Sequence, residues 1–384
     1  MNFKRPFWGT CCMMSGRRIA GMVLLSACLL IPASAAPVGG DSFFEKSANV
    51  EMSHAASSEA FSGVILVARG DKVLLRQAGG LADPARAIPN TVDTPFPLES
   101  LTKQFTAAAI LLLAKDHKIT LDDPIEKYYQ TLPPTWNNIT IKQLLTHSAG
   151  IVDCNPCKIS SYRDYIDLSL AKPSAFPPGE GMLYSNAGYG LLAAVIERVT
   201  GQNYGQFIET NIFMPLHMAH SGSGVLPANG ALGYIQNAGD TGWRAGQRAY
   251  LEFHTGFGNL YSTVDDMLLW VRALQNDTLL PRALRDAMFT DYGHQYGFGV
   301  RISEKFGQRE IWHTGADAGA GYGAIEELFP EEGLTVIALF NNSGLTKNPV
   351  TLTVEGKAVT FRSTPARALV EDLESLYFTG KQPH

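Results

Sequence analysis

The chain has 384 residues, 45% of them hydrophobic and 17% charged, with 37 Gly and 21 Pro. That make-up suits a mixed globular fold and excludes collagen-like, coiled-coil and disordered chains. Residues 1–36 hold four bases (Lys4, Arg5, Arg17, Arg18) and no acid, so the remainder sets 27 bases against 36 acids, a net charge of −9. A surface that acidic repels phosphate backbones and anionic lipid, so nucleic acid is not an expected partner.

The first 36 residues read as an export signal. Basic residues precede the apolar run Ile19–Ile31, which is too short to span a bilayer, and Ala33-Ser-Ala35 suits a signal peptidase. Leu25-Ser-Ala-Cys28 also fits a lipoprotein signal, so simple cleavage and lipidation of Cys28 both stay open. No later stretch is apolar for long enough to cross a membrane. Residues 37–384 are expected as an exported domain, periplasmic or secreted. Three of the five cysteines (Cys11, Cys12, Cys28) belong to the signal; Cys154 and Cys157 remain. With no second C-x-x-C to complete a zinc site and no thioredoxin-like context, a short-loop disulfide is the reading favoured over a redox motif.

Residues 42–58 have a helical pattern. Phe61–Ala68 and Lys72–Arg76 flank Gly70-Asp71 as a hairpin. Thr106–Ala114 is apolar on every face of a helix running from about Leu101 to Lys115, which must be buried all round. Residues 120–290 read mostly as helices: Leu192, Val195, Ile196 and Val199 share one face and Gly201 closes it, and a Ser262-x-x-Asp265 capping box opens another. Strands follow at Gly297–Ser303, Glu310–Thr314, Tyr322–Phe329 and Leu334–Asn341, then a hairpin about Glu355-Gly356. A final helix is capped by Thr364 and opened by Pro365. Strands at both ends with helices between predict an α/β fold of the α+β type. One antiparallel sheet is assembled from about 42–98 and 290–384, with an all-helical lobe inserted over about 99–289.

No serine lies in G-x-S-x-G, and neither H-E-x-x-H nor a nucleotide-binding glycine pattern occurs. His217 and His220 have metal spacing but no nearby carboxylate in sequence, and nothing else suggests a cofactor. His147-Ser148 reads as framework, since adjacent helical residues do not face each other. Asp122-Asp123-Pro124 reads as a turn. Trp136, Trp243, Tyr261 and Trp312 are candidates for a cleft wall, with core packing the better reading for most.

What remains is Ser100-Leu-Thr-Lys103 at the mouth of the all-apolar helix. Positions i and i+3 share a face, the helix N-terminus favours developing negative charge, and burial makes the amine easier to deprotonate. That combination is an activated serine without histidine. Tyr184-Ser-Asn186 then opens a helix, and His313-Thr-Gly315 ends a strand before Ala316.

In these three motifs, in this order, the chain resembles the class C-like branch of the serine β-lactamase and penicillin-binding superfamily. The resemblance spans about Phe61 to Asn342 and includes Ile139–Gly150, Asn259–Thr263 and Tyr296-Gly-Phe-Gly299. It implies a β-lactamase/transpeptidase-like fold with Ser100 as acylated nucleophile and Lys103 with Tyr184 as acid–base pair, the Lys⁺ favouring phenolate. It further implies that Asn186 orients Lys103 and substrate, that the backbone N–H groups of Ser100 and Ala316 form the oxyanion hole, and that His313 and Thr314 face a substrate carboxylate. Histidine where class C β-lactamases carry K-T-G weakens the case for an efficient β-lactamase, because its charge is not permanent. The expected substrate is a small molecule or peptide: a D-peptide, a carboxylic ester or a β-lactam, hydrolysed without a cofactor. A penicillin-binding-like scaffold holding wall fragments or a protein partner is the alternative. The sequence leaves oligomeric state open.

Overall fold

The computed structural model describes residues 37–57, 61–130, 132–136, 138–235, 242–246, 251–342, 350–354, 357–361 and 365–381. The segment expected to be an export signal, with Cys28, the turn Glu355-Gly356 and the cap Thr364 lie outside them.

The sheet has six strands: β1 (Gly63–Arg69), β2 (Lys72–Gly79), β3 (Arg301–Lys305), β4 (Gln308–Asp317), β5 (Tyr322–Phe329) and β6 (Leu334–Phe340). Their order is β3-β4-β5-β6-β1-β2 and every pairing is antiparallel. The central join is β1 against β6, running from Gly63 opposite Phe340 to Arg69 opposite Leu334, so the two ends of the chain complete one sheet.

Both faces of that sheet are covered, which is why its strands read as unbroken apolar runs. Val64, Leu66, Ala324, Ile337 and Leu339 join the core formed with helices α2 (Thr102–Lys115), α3 (Asn186–Thr200) and α4 (Val264–Gln275). Ile65, Val67, Ile325, Val336 and Ala338 point the other way, onto α1 (Asp41–Ser57) and α5 (Pro365–Thr379). Residues 102–111 of α2 are all buried, as the apolar run demanded. Fully burying each of its leucines and isoleucines contributes about 1.5–3 kcal/mol. Gly201 closes α3 in the left-handed conformation (φ 69°), as its sequence position predicted.

Four expectations need correction. The inserted lobe is not all-helical: Phe96–Pro97, Leu260–Ser262 and Gly222–Ser223 form a small antiparallel sheet. Strands of two or three residues leave no periodic signal, yet this one clamps the chain leading into Ser100. The strand predicted from Gly297 starts at Arg301. Gly299 (φ +73°) lies so close to α2 that an added Cβ would stand 2.6 Å from the Lys103 carbonyl oxygen, so Phe298 is buried by a turn and not by sheet pairing. The strand carrying His313 extends through Asp317. The cap of α4 is Thr263, whose side chain accepts from the Asp266 N–H; Ser262 belongs to the preceding strand.

Candidate active site

Ser100 sits in a short 3-10 turn, Glu99–Leu101, that runs directly into α2. One turn later Lys103 is wholly buried, and its Nζ lies 3.0 Å from Ser100 Oγ. The same amine donates to Asn186 Oδ1 at 2.8 Å and to the Phe257 carbonyl at 3.1 Å. Both of those partners can only accept. A neutral amine has two hydrogens, so both are taken and its lone pair is left for the Ser100 hydroxyl. Aromatic faces close the cage, with Nζ 4.6 Å from the centre of the Tyr184 ring and 5.7 Å from those of Tyr189 and Phe257. Burial pushes the Lys103 amine down to about 7, against the opposing pull of Asp153 and Glu99.

Asn186 is delivered by the N-terminus of α3. Ser185 caps that helix. Asp153 binds the same terminus, accepting from the Ser185 hydroxyl at 2.7 Å and from the Asn186 and Ala187 N–H groups at 2.8 and 3.0 Å. Sequence reasoning passed over Asp153, which stands beside the C-x-x-C and carries no motif of its own. The Cα atoms of Cys154 and Cys157 are 5.7 Å apart and their sulfurs are paired. Asn155 between them lines the same cleft as Ser100, so this loop is a wall of the site.

The expectation for Tyr184 changes. Burial raises its phenol above the ordinary value, and the Ser100 hydroxyl beside it lowers it by less. Burial thus favours the protonated phenol, and the Lys103 amine, 3.0 Å from Ser100 Oγ, is placed to accept the serine proton.

His313 also differs from its expected role. It is 2% exposed and burial pushes it down to about 3, so it is neutral at physiological pH. Its ring is fully engaged: Nδ1 is 2.7 Å from the Thr314 carbonyl and Nε2 is 3.1 Å from the Tyr296 hydroxyl. Tyr296 in turn meets His147 Nε2 at 3.1 Å, and His147 Nδ1 accepts from the Ser185 N–H at 3.1 Å. The ends of this chain fix every proton between them. Ser185 N–H only donates and the Thr314 carbonyl only accepts, so His147 donates from Nε2, Tyr296 donates to His313, and His313 donates from Nδ1. Burial favours the neutral ring in both histidines. The framework histidine of the sequence reading therefore ties the Tyr184-Ser-Asn186 turn to the His313-Thr-Gly315 strand. Half-buried Thr314 is left as the strand's polar group for a substrate. The cation on this side is Arg301, 5.9 Å over the Tyr184 ring.

Gly315 is required by close approach: a Cβ there would stand 2.1 Å from the Leu98 carbonyl oxygen and 3.0 Å from Glu99 Cβ. Gly315→Ala is expected to push β4 off the Ser100 turn and cut turnover by about 100-fold, the effect of misplacing a reacting group by roughly 1 Å. Steady-state kinetics checks this; turnover within threefold of wild type contradicts it.

Ser100, Asn186 and Ala316 share one cleft of about 470 Å³, which Glu99, Tyr165, His254, Phe257 and Asp317 also line. Trp136, Trp243, Tyr261 and Trp312 are not among its lining residues. Trp136 is core and bonds the Leu170 carbonyl. Asp123 closes a turn, accepting from the Thr120 N–H at 2.8 Å, as its sequence context suggested. His220 does have a carboxylate beside it, Asp266 at 3.8 Å, brought from α4 and so invisible to local spacing. Among the described residues, the one group of acids whose ligand atoms converge is Glu310, Glu327 and Glu374, and Lys305 and Arg367 pair with it in place of a metal.

A sequence model of the Beta-lactamase family matches residues 49–358, and the chain belongs to that family, as a serine hydrolase of the β-lactamase fold. Among its relatives is penicillin-binding protein 4* of Bacillus subtilis (strain 168), 27% identical over 314 residues, covering 73% of this chain and 68% of that protein. A teichoic acid D-alanine hydrolase of Staphylococcus aureus (strain MRSA252) is 29% identical over 260 residues, covering 63% of each chain. The solved penicillin-binding protein of Bacillus halodurans superposes with a TM-score of 0.73 at 27% identity, over 86% of this chain and 99% of that one. The D-amino acid amidase of Ochrobactrum anthropi SV3, at 24% identity and a TM-score of 0.69 over 78% of this chain and 92% of that one, shares the fold.

Proposed function

We propose that this chain is an exported hydrolase that takes the acyl group of a D-alanyl ester or amide onto Ser100 and transfers it to water. The observation that carries the reading is the Lys103 amine, 3.0 Å from Ser100 Oγ with both its other partners acceptor-only. In acylation Ser100 Oγ bonds the carbonyl carbon while its proton passes to Lys103. Tyr184 gives its proton to the departing oxygen or nitrogen and regains one from Lys103. A water then repeats the sequence on the acyl-enzyme, and Ser100 recovers its hydrogen. The N–H groups of Ser100 and Ala316 hold the oxyanion, each contributing about 3 kcal/mol in the transition state.

The D-alanyl assignment draws on the relatives, one named for hydrolysis of D-alanine from teichoic acid. A neutral His313 supports it, since that position of the strand offers no fixed cation for a β-lactam carboxylate. Export rests on the signal pattern in residues 1–36; among the described residues no helix is long and apolar enough to cross a membrane.

The test is intact-mass spectrometry of the mature protein with benzylpenicillin and with D-alanine methyl ester, alongside Ser100→Ala. Wild type is expected to cleave the ester and to form at most a slow penicilloyl adduct; Ser100→Ala should do neither. Unchanged protein, drug and ester with wild type would refute the acyl-enzyme reading.

A further inference from the structure

Glu99 precedes the nucleophile in a conformation that glutamate rarely adopts, with φ at +49°. Glycine would hold that backbone without strain, so the side chain is carried there against a local preference. It is only 4% exposed, and its Oε1 has no hydrogen-bond partner among the described residues. The cationic candidate beside it, His254 Nδ1, stands 4.0 Å from Oε2, beyond hydrogen-bond reach. One oxygen of this buried carboxyl is thus left without a partner in the fold. Glu99 lines the Ser100 cleft, and so does Asp317, which spends Oδ1 on the Ala320 N–H at 2.9 Å.

Lys103 attracts this carboxyl but makes no hydrogen bond to it. Its hydrogens are directed to Asn186 and Phe257. Glu99 instead responds to its surroundings by holding a proton: burial first, and Asp317 second, push its carboxyl up to about 8. An arriving cation would displace that proton and supply the missing partner.

We propose that Glu99 and Asp317 form a subsite for an ammonium group on the substrate that acylates Ser100. Because Glu99 and Ser100 are adjacent in the chain and open into one cleft, the ammonium must lie close to the reacting carbonyl. The chemical class is an α-aminoacyl ester or amide with its amine free. An N-acylated chain brings no charge and would set an amide against an unpartnered carboxyl. The inference rests on the Ser100 acyl-enzyme reading for the identity of the reacting carbonyl, but binding alone can test it.

The experiment is calorimetric titration of Ser100→Ala with D-alaninamide and with N-acetyl-D-alaninamide, which differ in the ammonium. D-alaninamide is expected to bind at least tenfold more tightly, with proton uptake by buffer that scales with the buffer's ionisation heat. Adding Glu99→Gln should remove both the preference and the proton release, and adding Asp317→Asn should reduce the preference. Glu99→Gly, which relieves the backbone strain, serves if the glutamine variant fails to fold, and should likewise abolish the preference. Equal affinities, tighter binding of the N-acetyl compound, no measurable binding of either at millimolar concentration, or a preference that survives loss of the Glu99 carboxyl overturns the proposal. None of these outcomes touches the Ser100 adduct, so the two readings fail separately.

Discussion

Lys103→Met is expected to lower kcat/KM for a D-alanyl ester by about 10³–10⁴-fold, the upper range for loss of a positioned general base. The amine lies 3.0 Å from Ser100 Oγ, and the Tyr184 phenol, raised by burial, offers no resting phenolate to replace it. Arginine at this position should not rescue activity, because a guanidinium stays protonated. The pH dependence follows from the same burial. Lys103 works when neutral, and its amine is pushed down to about 7, so kcat/KM should climb about tenfold per unit below that pH and level off above it. Pre-steady-state acylation rates from pH 5 to 9 check both points. A methionine variant keeping more than a tenth of wild-type activity, or a flat profile between pH 5 and 8, would remove Lys103 from the role.

The second large effect is expected from Tyr296→Phe. The ring is fully buried and the change deletes one oxygen, which leaves the His147 Nε2 hydrogen without an acceptor and His313 Nε2 without a donor. Each buried polar group so stranded costs about 1–3 kcal/mol, so a stability loss of about 2–6 kcal/mol is expected in urea denaturation. Activity should fall as well, because the bridge that sets the Tyr184 turn against the His313 strand is gone. A phenylalanine variant as stable as wild type would show that the chain of four hydrogen bonds does not hold the site together.

Much of this protein was legible before its structure. The i, i+3 spacing of Ser100 and Lys103, the all-round apolar character of Thr106–Ala114, the Gly70-Asp71 hairpin and the Gly201 cap are local properties. They report on geometry within one or two turns of chain. The antiparallel sheet closed by both chain ends was equally readable, since strands buried on both faces leave continuous apolar runs. Local reading failed where the deciding partner is remote. Thr263 and not Ser262 caps α4, because Ser262 is taken by a strand pairing with Phe96. Gly297-Phe-Gly299 turns where a strand was expected, because Gly299 rests on the backbone of Lys103.

The motifs thus determined which side chains meet, and the class of chemistry with them. Only the tertiary structure decided their protonation and their neighbours. Lys103 gains its low affinity for a proton from burial among Tyr184, Tyr189 and Phe257, and its direction from the Phe257 carbonyl, 154 residues away. His313, which the sequence already left without a permanent charge, is held neutral by burial and has its ring taken by Tyr296. Glu99, an unremarked letter before the serine, becomes a buried carboxyl facing the reaction cleft. Spacing along a chain records which atoms are tethered together, whereas solvation and charge depend on everything that packs around them.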